Sequence, residues 1–314
     1  MSAAVVFESY GGPDVLRVVD QPVPQPGPGQ VRVAVRAAGV QPADALLRSG
    51  RFAQWSPATF PQRLGNEFAG VVDALGEGVT EWAVGDEVIG WVTPSAYAEH
   101  LLANHDEMVA KPAAVPWPEA GVLSASGQTA ASVLTQLGVG PGDVVLIHAA
   151  AGGVGSYAVQ LAAARGATVV GTASEHNHGY LRSLGAIPVA YGTGLASRVR
   201  AVVLRVDVAL DGSGTLSALN ASLELLGSTE RIATIAYLPA ARTDGRSASS
   251  RAEEMGIRRL STRRSQAQLT ELASMMADGR LTVEIQARYP LAEAVRAHHD
   301  IETRHVRGKV VLLP

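Results

Sequence analysis

Apolar and polar positions alternate with period two along residues 30–40 (QVRVAVRAAGV), the pattern of a strand with one buried face. Shorter strand-like stretches follow at 68–76, 86–92 and 97–103, separated by turn formers such as Gly76-Glu77-Gly78 and Gly85-Asp86. Pro22, Pro24, Pro26 and Pro28 place the segment before residue 30 in a loop or at a sheet edge, because proline donates no ladder hydrogen bond. The first 116 residues or so therefore read as a barrel-like β domain.

The pattern then changes. Residues 119–137 carry apolar positions at helical spacing and end at Gly138. Residues 144–147 are apolar throughout, as expected of a strand in a parallel sheet covered on both faces. A glycine-rich turn, a helix and a second strand ending near Ser174 follow. The alternation continues with a helix near 180–184, strands at 188–190 and 207–210, a helix at 216–226 and a strand at 231–235. Repeated strand–helix alternation predicts a doubly wound α/β domain. The stretch 256–264 (GIRRLSTRR) reads as its last strand, and the polar, turn-rich 242–251 as a mobile loop. The tail breaks the winding: a helix at 266–277, a strand at 282–289, a helix from Pro290 and a strand at 309–313 are expected to return to the first domain.

Composition narrows the classes. Of 314 residues, 47% are hydrophobic and 18% charged, which is globular and argues against wholesale disorder. The net charge is −3, and the basic residues are scattered apart from a short cluster at 258–264, so a nucleic-acid partner is not expected. No apolar run approaches the ~18 residues of a membrane span, and the opening MSAAVVFESYGG lacks the basic and apolar regions of a secretory leader. Cysteine is absent, which removes disulfides, thiolate catalysis and Cys-ligated metal sites. A cytoplasmic protein acting on a small molecule fits these features.

The chemistry centres on Ala149-Ala150-Ala151-Gly152-Gly153-Val154-Gly155, between an apolar strand and a helix. Glycines there let the backbone approach a pyrophosphate, and the helix N-terminus offers free N–H groups and a positive dipole end. A purely structural tight turn is the alternative; the strand–turn–helix–strand context favours dinucleotide binding. The second strand ends in neutral Thr172-Ala173-Ser174, where an NAD-preferring site usually places an acid on the ribose 2′-OH, though Glu175 is one residue further. A neutral tip with His176, Asn177 and His178 as donors favours NADPH, although none is a permanent cation.

Together these residues resemble the zinc-free, quinone oxidoreductase-like branch of the medium-chain dehydrogenase/reductase superfamily. The resemblance is carried by Ala38-Gly39-Val40 through Arg48-Ser49-Gly50, by Leu64-Gly65-Asn66-Glu67-Phe68-Ala69-Gly70, by Gly76-Glu77-Gly78-Val79 and Val84-Gly85-Asp86-Glu87-Val88, by the glycine turn, by Leu184-Gly185-Ala186 and by Arg307-Gly308-Lys309-Val310-Val311. It implies a GroES-like β-barrel domain (1–117 and 263–314) and a Rossmann domain (118–262), with the active site in the cleft between them, and a homodimer formed by pairing of the edge strand at 256–264. Zinc-dependent members carry Cys after the Gly-Val of the early strand and His before the Glu of a Gly-His-Glu motif; here the sequence reads Gln41-Pro42-Ala43-Asp44 and Gly65-Asn66-Glu67. No metal is expected, and Glu67 reads as structural.

The expected activity is NADPH-dependent, metal-independent hydride transfer to quinones or α,β-unsaturated carbonyls. A tailoring reductase or cyclase acting on one secondary metabolite, and a non-catalytic NADPH-binding sensor, are the alternatives. The resemblance implies cofactor contacts at Gln41, Thr129, Gly152, Gly153, Val154, Ser174, Asn177, Tyr191, Gly212, Ala236 and Tyr237. Gln41, Asn66 and Tyr237 are candidate catalytic groups, the first two as donors to a carbonyl oxygen. Phenols common in relatives are replaced by Leu46 and Phe52, which with Trp55 and Phe60 suggest an apolar pocket and a proton supplied by water.

Overall fold

The computed structural model describes residues 1–236 and 252–314. The expected loop at 242–251 and Tyr237 lie outside the described residues. The chain begins with β1 (Ser2–Phe7), β2 (Leu16–Gln21) and β3 (Gln30–Val40), followed by helix α1 (Pro42–Arg48). Then come β4 (Gln62–Arg63), β5 (Glu67–Leu75), β6 (Glu87–Trp91), β7 (His100–Asn104), β8 (Met108–Ala110), α2 (Trp117–Ala120) and α3 (Ser124–Gln136). The strand–helix winding consists of β9 (Val144–His148), α4 (Gly153–Ala164), β10 (Thr168–Ala173), α5 (His178–Ser183), β11 (Ala186–Ala190), α6 (Leu195–Arg200), β12 (Val208–Asp211), α7 (Leu216–Leu226), β13 (Ile232–Thr234) and β14 (Arg258–Arg259). The tail supplies α8 (Gln266–Ala277), β15 (Ile285–Pro290), α9 (Ala294–Glu302) and β16 (Lys309–Leu313).

Two units result. One holds Met1–Gln128 with Arg264–Pro314, the other Thr129–Arg263, so the division falls inside α3. In the first unit a seven-stranded sheet runs β15-β16-β3-β5-β6-β8, with β7 also on β3, beside a three-stranded sheet β2-β1-β4. The last strand lies against the long early one, with Val310 opposite Val40 and Val311 opposite Gly39. β3 also pairs with β5, with Ala38 opposite Phe68. The buried faces of these strands, including Val31, Val33, Phe68, Val72, Leu101 and Val310, form the core that their alternation predicts.

The second unit is an all-parallel sheet in the order β11-β10-β9-β12-β13-β14, the doubly wound arrangement whose direction reverses next to β9. Leu146, Val170, Ala209 and Ile232 of its inner strands pack with Leu195, Val199 and Leu219 from the helices. The segment 256–264 does contribute the final strand, though only Arg258 and Arg259 pair, with Ala233 and Thr234.

The expected continuous helix at 119–137 is instead two helices, α2 and α3, separated by residues 121–123. The break leaves the first backbone N–H groups of α3 without intrahelical partners. One of them, on Ala125, donates to the Glu67 carboxylate at 2.6 Å. The expected strand at 97–103 begins only at His100. Tyr97 precedes it in a bridging segment, its N–H donating to Leu64 O and its carbonyl accepting from Val5 N.

Candidate functional sites in the two units

In the parallel unit, the expected cofactor residues gather at the carboxyl ends of the strands. The glycine turn follows β9, Ser174 follows β10, Tyr191 follows β11, Gly212 follows β12 and Ala236 lies two residues beyond β13. Asn177 closes a short 3₁₀ turn after β10, and its Oδ1 is buried without a partner among the described residues. Thr129 stands on α3, its hydroxyl 2.5 Å from that of Thr262. Ser174 and Tyr191, from neighbouring strand ends, bring their hydroxyls to 3.1 Å.

The turn has the geometry that phosphate binding needs. Gly152 is the N-cap of α4, in extended conformation and with no side chain capping the helix. The N–H groups of the first turn therefore remain available. Gly155 is required for packing: a Cβ there would stand 2.3 Å from the Ala149 carbonyl oxygen and 2.7 Å from Ala150 Cα.

Buried polar groups hold this edge in place. Asp211, at the end of β12, accepts from Ser213 N (2.9 Å) and Ser213 Oγ (2.7 Å) through Oδ1, and from Thr234 Oγ1 (2.8 Å) through Oδ2. His148, at the end of β9, lies between Ser222 Oγ (2.9 Å) and Thr172 Oγ1 (3.3 Å). Ser222 gives its own proton to Ala218 O, so His148 Nε2 is the donor and Nδ1 the acceptor. Burial pushes the His148 pKa down to about 4, against the pull of Asp211, and keeps the ring neutral.

The β-rich unit carries a second constellation, at the end of β3. Glu67, fully buried, accepts from Lys309 Nζ (2.9 Å) and from Gln41 Nε2 through Oε1, and from Ala125 N through Oε2. Lys309 also donates to Ser126 Oγ (3.0 Å), which lies 3.4 Å from Gln41 Oε1. The packing demands a glycine on β3: a Cβ at Gly39 would stand 2.1 Å from Glu67 Oε1. Asp44 Oδ2 accepts from Tyr97 Oη (2.7 Å) and Gln41 N (2.9 Å). Burial raises its pKa to about 6, with the hydrogen bonds opposing that rise. Tyr97 is raised well above the usual phenol range, first by burial and then by Asp44.

The two candidate carbonyl donors of this unit therefore differ. The Gln41 amide is buried and engaged at both ends, by Glu67 and Ser126. Asn66 is half-buried, and its Oδ1 accepts from Arg264 Nη2 at 3.2 Å while its carbonyl accepts from Nη1 at 3.3 Å. Of the expected pocket residues, Phe52 packs edge-on to Trp55 (6.3 Å between centroids), whereas Phe60 packs with Phe7 (5.6 Å) and Tyr10 (5.2 Å). Leu46 is half-buried on α1. Sequence reasoning missed Lys309, Ser126, Tyr97 and Arg264. A lysine opening the otherwise apolar final strand was the available signal for the first.

The chain matches the alcohol dehydrogenase GroES-like domain family over residues 27–136 and the zinc-binding dehydrogenase family over residues 184–312. It is 34% identical to a quinone oxidoreductase of Pseudomonas aeruginosa over 331 aligned positions, covering all of both chains. Among solved structures, the quinone oxidoreductase from Coxiella burnetii superposes with a TM-score of 0.87 at 33% identity, covering 100% of this chain and 99% of that one. The Escherichia coli quinone oxidoreductase, complexed with NADPH, gives a TM-score of 0.87 at 27% identity, covering 99% and 100%. Fold and site define a two-unit nicotinamide-dependent oxidoreductase with GroES-like and Rossmann portions. The chain belongs to the medium-chain dehydrogenase/reductase superfamily, in its quinone oxidoreductase-like branch.

One matching family is described as zinc-binding, so the donor set matters. Gln41 and Asn66 are neutral amides, and Glu67 is already neutralised by the Lys309 ammonium. Among the described residues no group of three or more His, Cys, Asp or Glu could hold a metal ion. Zinc takes Cys, His or carboxylate ligands and would be repelled by the neighbouring ammonium. These residues do not fit zinc.

Proposed function

We propose that the protein is an NADPH-dependent, metal-independent reductase of quinones or α,β-unsaturated carbonyls. The observation that carries this reading is the carboxyl edge of the parallel sheet. There an uncapped glycine turn at a helix N-terminus stands beside a strand end whose Thr172-Ala173-Ser174 carries hydroxyls and no acid, the nearest carboxylate in the chain, Glu175, lying one residue further and exposed. The NADPH complex of the Escherichia coli relative supports the choice of cofactor.

In this reading the N–H groups at Gly153 and Val154 hold the pyrophosphate, and Gly152, whose own N–H donates to Ala149 O, lets the backbone approach it. Ser174, Asn177 and Tyr191 surround the 2′-phosphate. Thr129, Gly212, Ala236 and Tyr237 are the further cofactor contacts of this unit, whereas the Gln41 amide, in the other unit, is engaged by Glu67 and Ser126. Residues 118–262 serve as the dinucleotide domain, and residues 1–117 with 263–314 as the substrate and catalytic domain. Bound NADPH supplies a hydride. The protein's own task is to orient the acceptor and exclude water. Leu46, Phe52, Trp55 and Phe60 offer apolar surface to the acceptor, and Asn66 offers an amide to its carbonyl oxygen. Water supplies the proton that completes the reduction. The protein works in the cytoplasm as a homodimer, with the exposed edge at Arg258–Arg259 as the pairing strand.

The test is oxidation of NADPH, followed by its absorbance, with a panel of quinones and enones and with product mass spectrometry. Turnover of at least one class, unaffected by a chelator, is expected. A protein that binds NADPH but reduces no acceptor would overturn the catalytic reading, and zinc-restorable activity would overturn metal independence.

A further inference from the structure

Arg264 is a half-buried guanidinium that the activity described so far does not use. It directly precedes Ser265, the N-cap of α8, and the chain there is pinned twice. Ser265 N donates to Gln128 Oε1 (2.8 Å), and Ser265 Oγ accepts from Gln268 N (3.2 Å). The side chain thus leaves a fixed backbone and ends on Asn66.

No carboxylate among the described residues forms an ion pair with it. The acids that attract it, Glu67, Asp44 and Glu107, are already occupied. Glu67 is held by Lys309, Gln41 and Ala125, Asp44 by Tyr97 and Gln41, and Glu107 Oε2 by Asn104. Desolvation pushes the pKa of Arg264 down, the mark of a cation partly removed from water without a counter-ion of its own. A guanidinium has five donors and no acceptor, so Asn66 must turn Oδ1 toward it and its two Nδ2 hydrogens away. The pair therefore combines fixed donors from two residues, with hydrogens left over that no acceptor among the described residues takes. That arrangement suits an oxygen on which negative charge develops.

Resting on the function proposed above, we infer that Arg264 and the Asn66 amide form an oxyanion pocket that takes the carbonyl oxygen of the acceptor. Arg264 is thereby a catalytic residue, and the substrates are carbonyl-conjugated acceptors whose oxygen becomes anionic. When hydride adds to the β-carbon of an enone, a C–H bond forms, the C=C π pair shifts to make the enolate and the C=O π pair moves onto oxygen. The nicotinamide is oxidised, the acceptor is reduced by two electrons, and one proton from water completes the product. A quinone follows the same course, its oxygen carrying the charge until water protonates it.

Two readouts test this. The first is binding of 4-nitrophenolate, a stable anionic oxygen, to the full chain with NADP⁺, read by absorbance. The wild type should bind it and lower the apparent pKa of the bound phenol. Arg264→Met and Asn66→Ala should each weaken binding at least ~10-fold, on the scale of a lost charged or neutral donor. The second is steady-state kinetics. Arg264→Met should lower kcat and kcat/KM together by about 10²–10³-fold for neutral acceptors, with NADPH affinity unchanged.

Nitrophenolate binding equal to wild type in either variant, or no binding by the wild type, overturns the inference. So does a loss confined to KM. Should Arg264→Met fail to fold, Asn66→Ala alone decides the binding arm. If the wild type reduces quinones while Arg264→Met keeps its kcat, the pocket is wrong and the proposed function stands. If the wild type reduces no acceptor, the function itself fails.

Discussion

Replacing Gly152 with Asp should separate folding from cofactor binding, because the same carboxylate acts on each with opposite sign. Gly152 occupies the N-cap of α4 at φ −80° and ψ 180°, conformations open to any residue. Among the described residues a Cβ there meets only the Ala149 carbonyl oxygen, at 3.4 Å. Asp is a preferred N-cap residue, better than Gly by a few tenths of a kcal/mol, and its charge at the positive helix end adds about 0.3–1 kcal/mol. The apo variant should therefore melt at or slightly above the wild-type temperature.

For the cofactor the carboxylate is adverse twice. It accepts the N–H groups that a pyrophosphate would use, at about 1.5–3 kcal/mol for a charge-assisted bond. It also sets like charges about 5 Å apart, which at an effective dielectric constant of ~20 costs about 3 kcal/mol. At about 1.4 kcal/mol per decade, the Kd for NADPH should rise between about 10³- and 10⁴-fold. Fluorescence titration gives the affinity, and a melting curve without cofactor gives the stability. Gly155→Ala is the contrasting control: its Cβ meets backbone at 2.3 Å, so it should lower the melting temperature. An NADPH affinity for Gly152→Asp within threefold of wild type would refute the assignment of the turn.

Three further outcomes are expected. Lys309→Met should cost about 3–5 kcal/mol, because it strands the buried Glu67 charge, while the double variant with Glu67→Gln should recover much of this; additive losses in denaturant unfolding would contradict the pairing. Acid should destabilise the protein: burial holds His148 near 4 and His298 near 3, so on unfolding below pH 6.5 each takes up a proton. Their stabilising contribution is complete above about 6.5 and is lost as pH falls, whereas Asp44, raised to about 6, works in the opposite direction between about 4 and 6. The balance is a net uptake of about one proton, or about 1.4 kcal/mol per pH unit, which His298→Phe should remove; a wild-type melting temperature that is flat or rises on acidification contradicts it. Light scattering at micromolar concentration should give twice the chain mass, and a monomer would count against pairing through the edge at Arg258–Arg259.

The parallel unit was legible because its signals are local. An apolar strand, a glycine turn and a helix are neighbours in the chain, and a run such as Val144–His148 reports its own burial by composition alone. The closing strand was likewise read at 309–313, where it is found. The glycine turn was legible for the same reason: an uncapped helix N-terminus is made by consecutive backbone groups.

The constellation in the β-rich unit is of another kind. Glu67 and Lys309 are 242 residues apart, and Asn66 and Arg264 are 198 apart. Glu67 and Lys309 meet because β16 lies against β3, which in turn lies against β5. Periodicity tells which face of a strand is buried; it does not tell which strand lies beside it. Hence Asn66 and Gln41 looked equivalent in the sequence, two amides near two motif glycines. Tertiary structure separated them, because a buried carboxylate and a hydroxyl engage one amide, while a donor-only guanidinium turns the other outward.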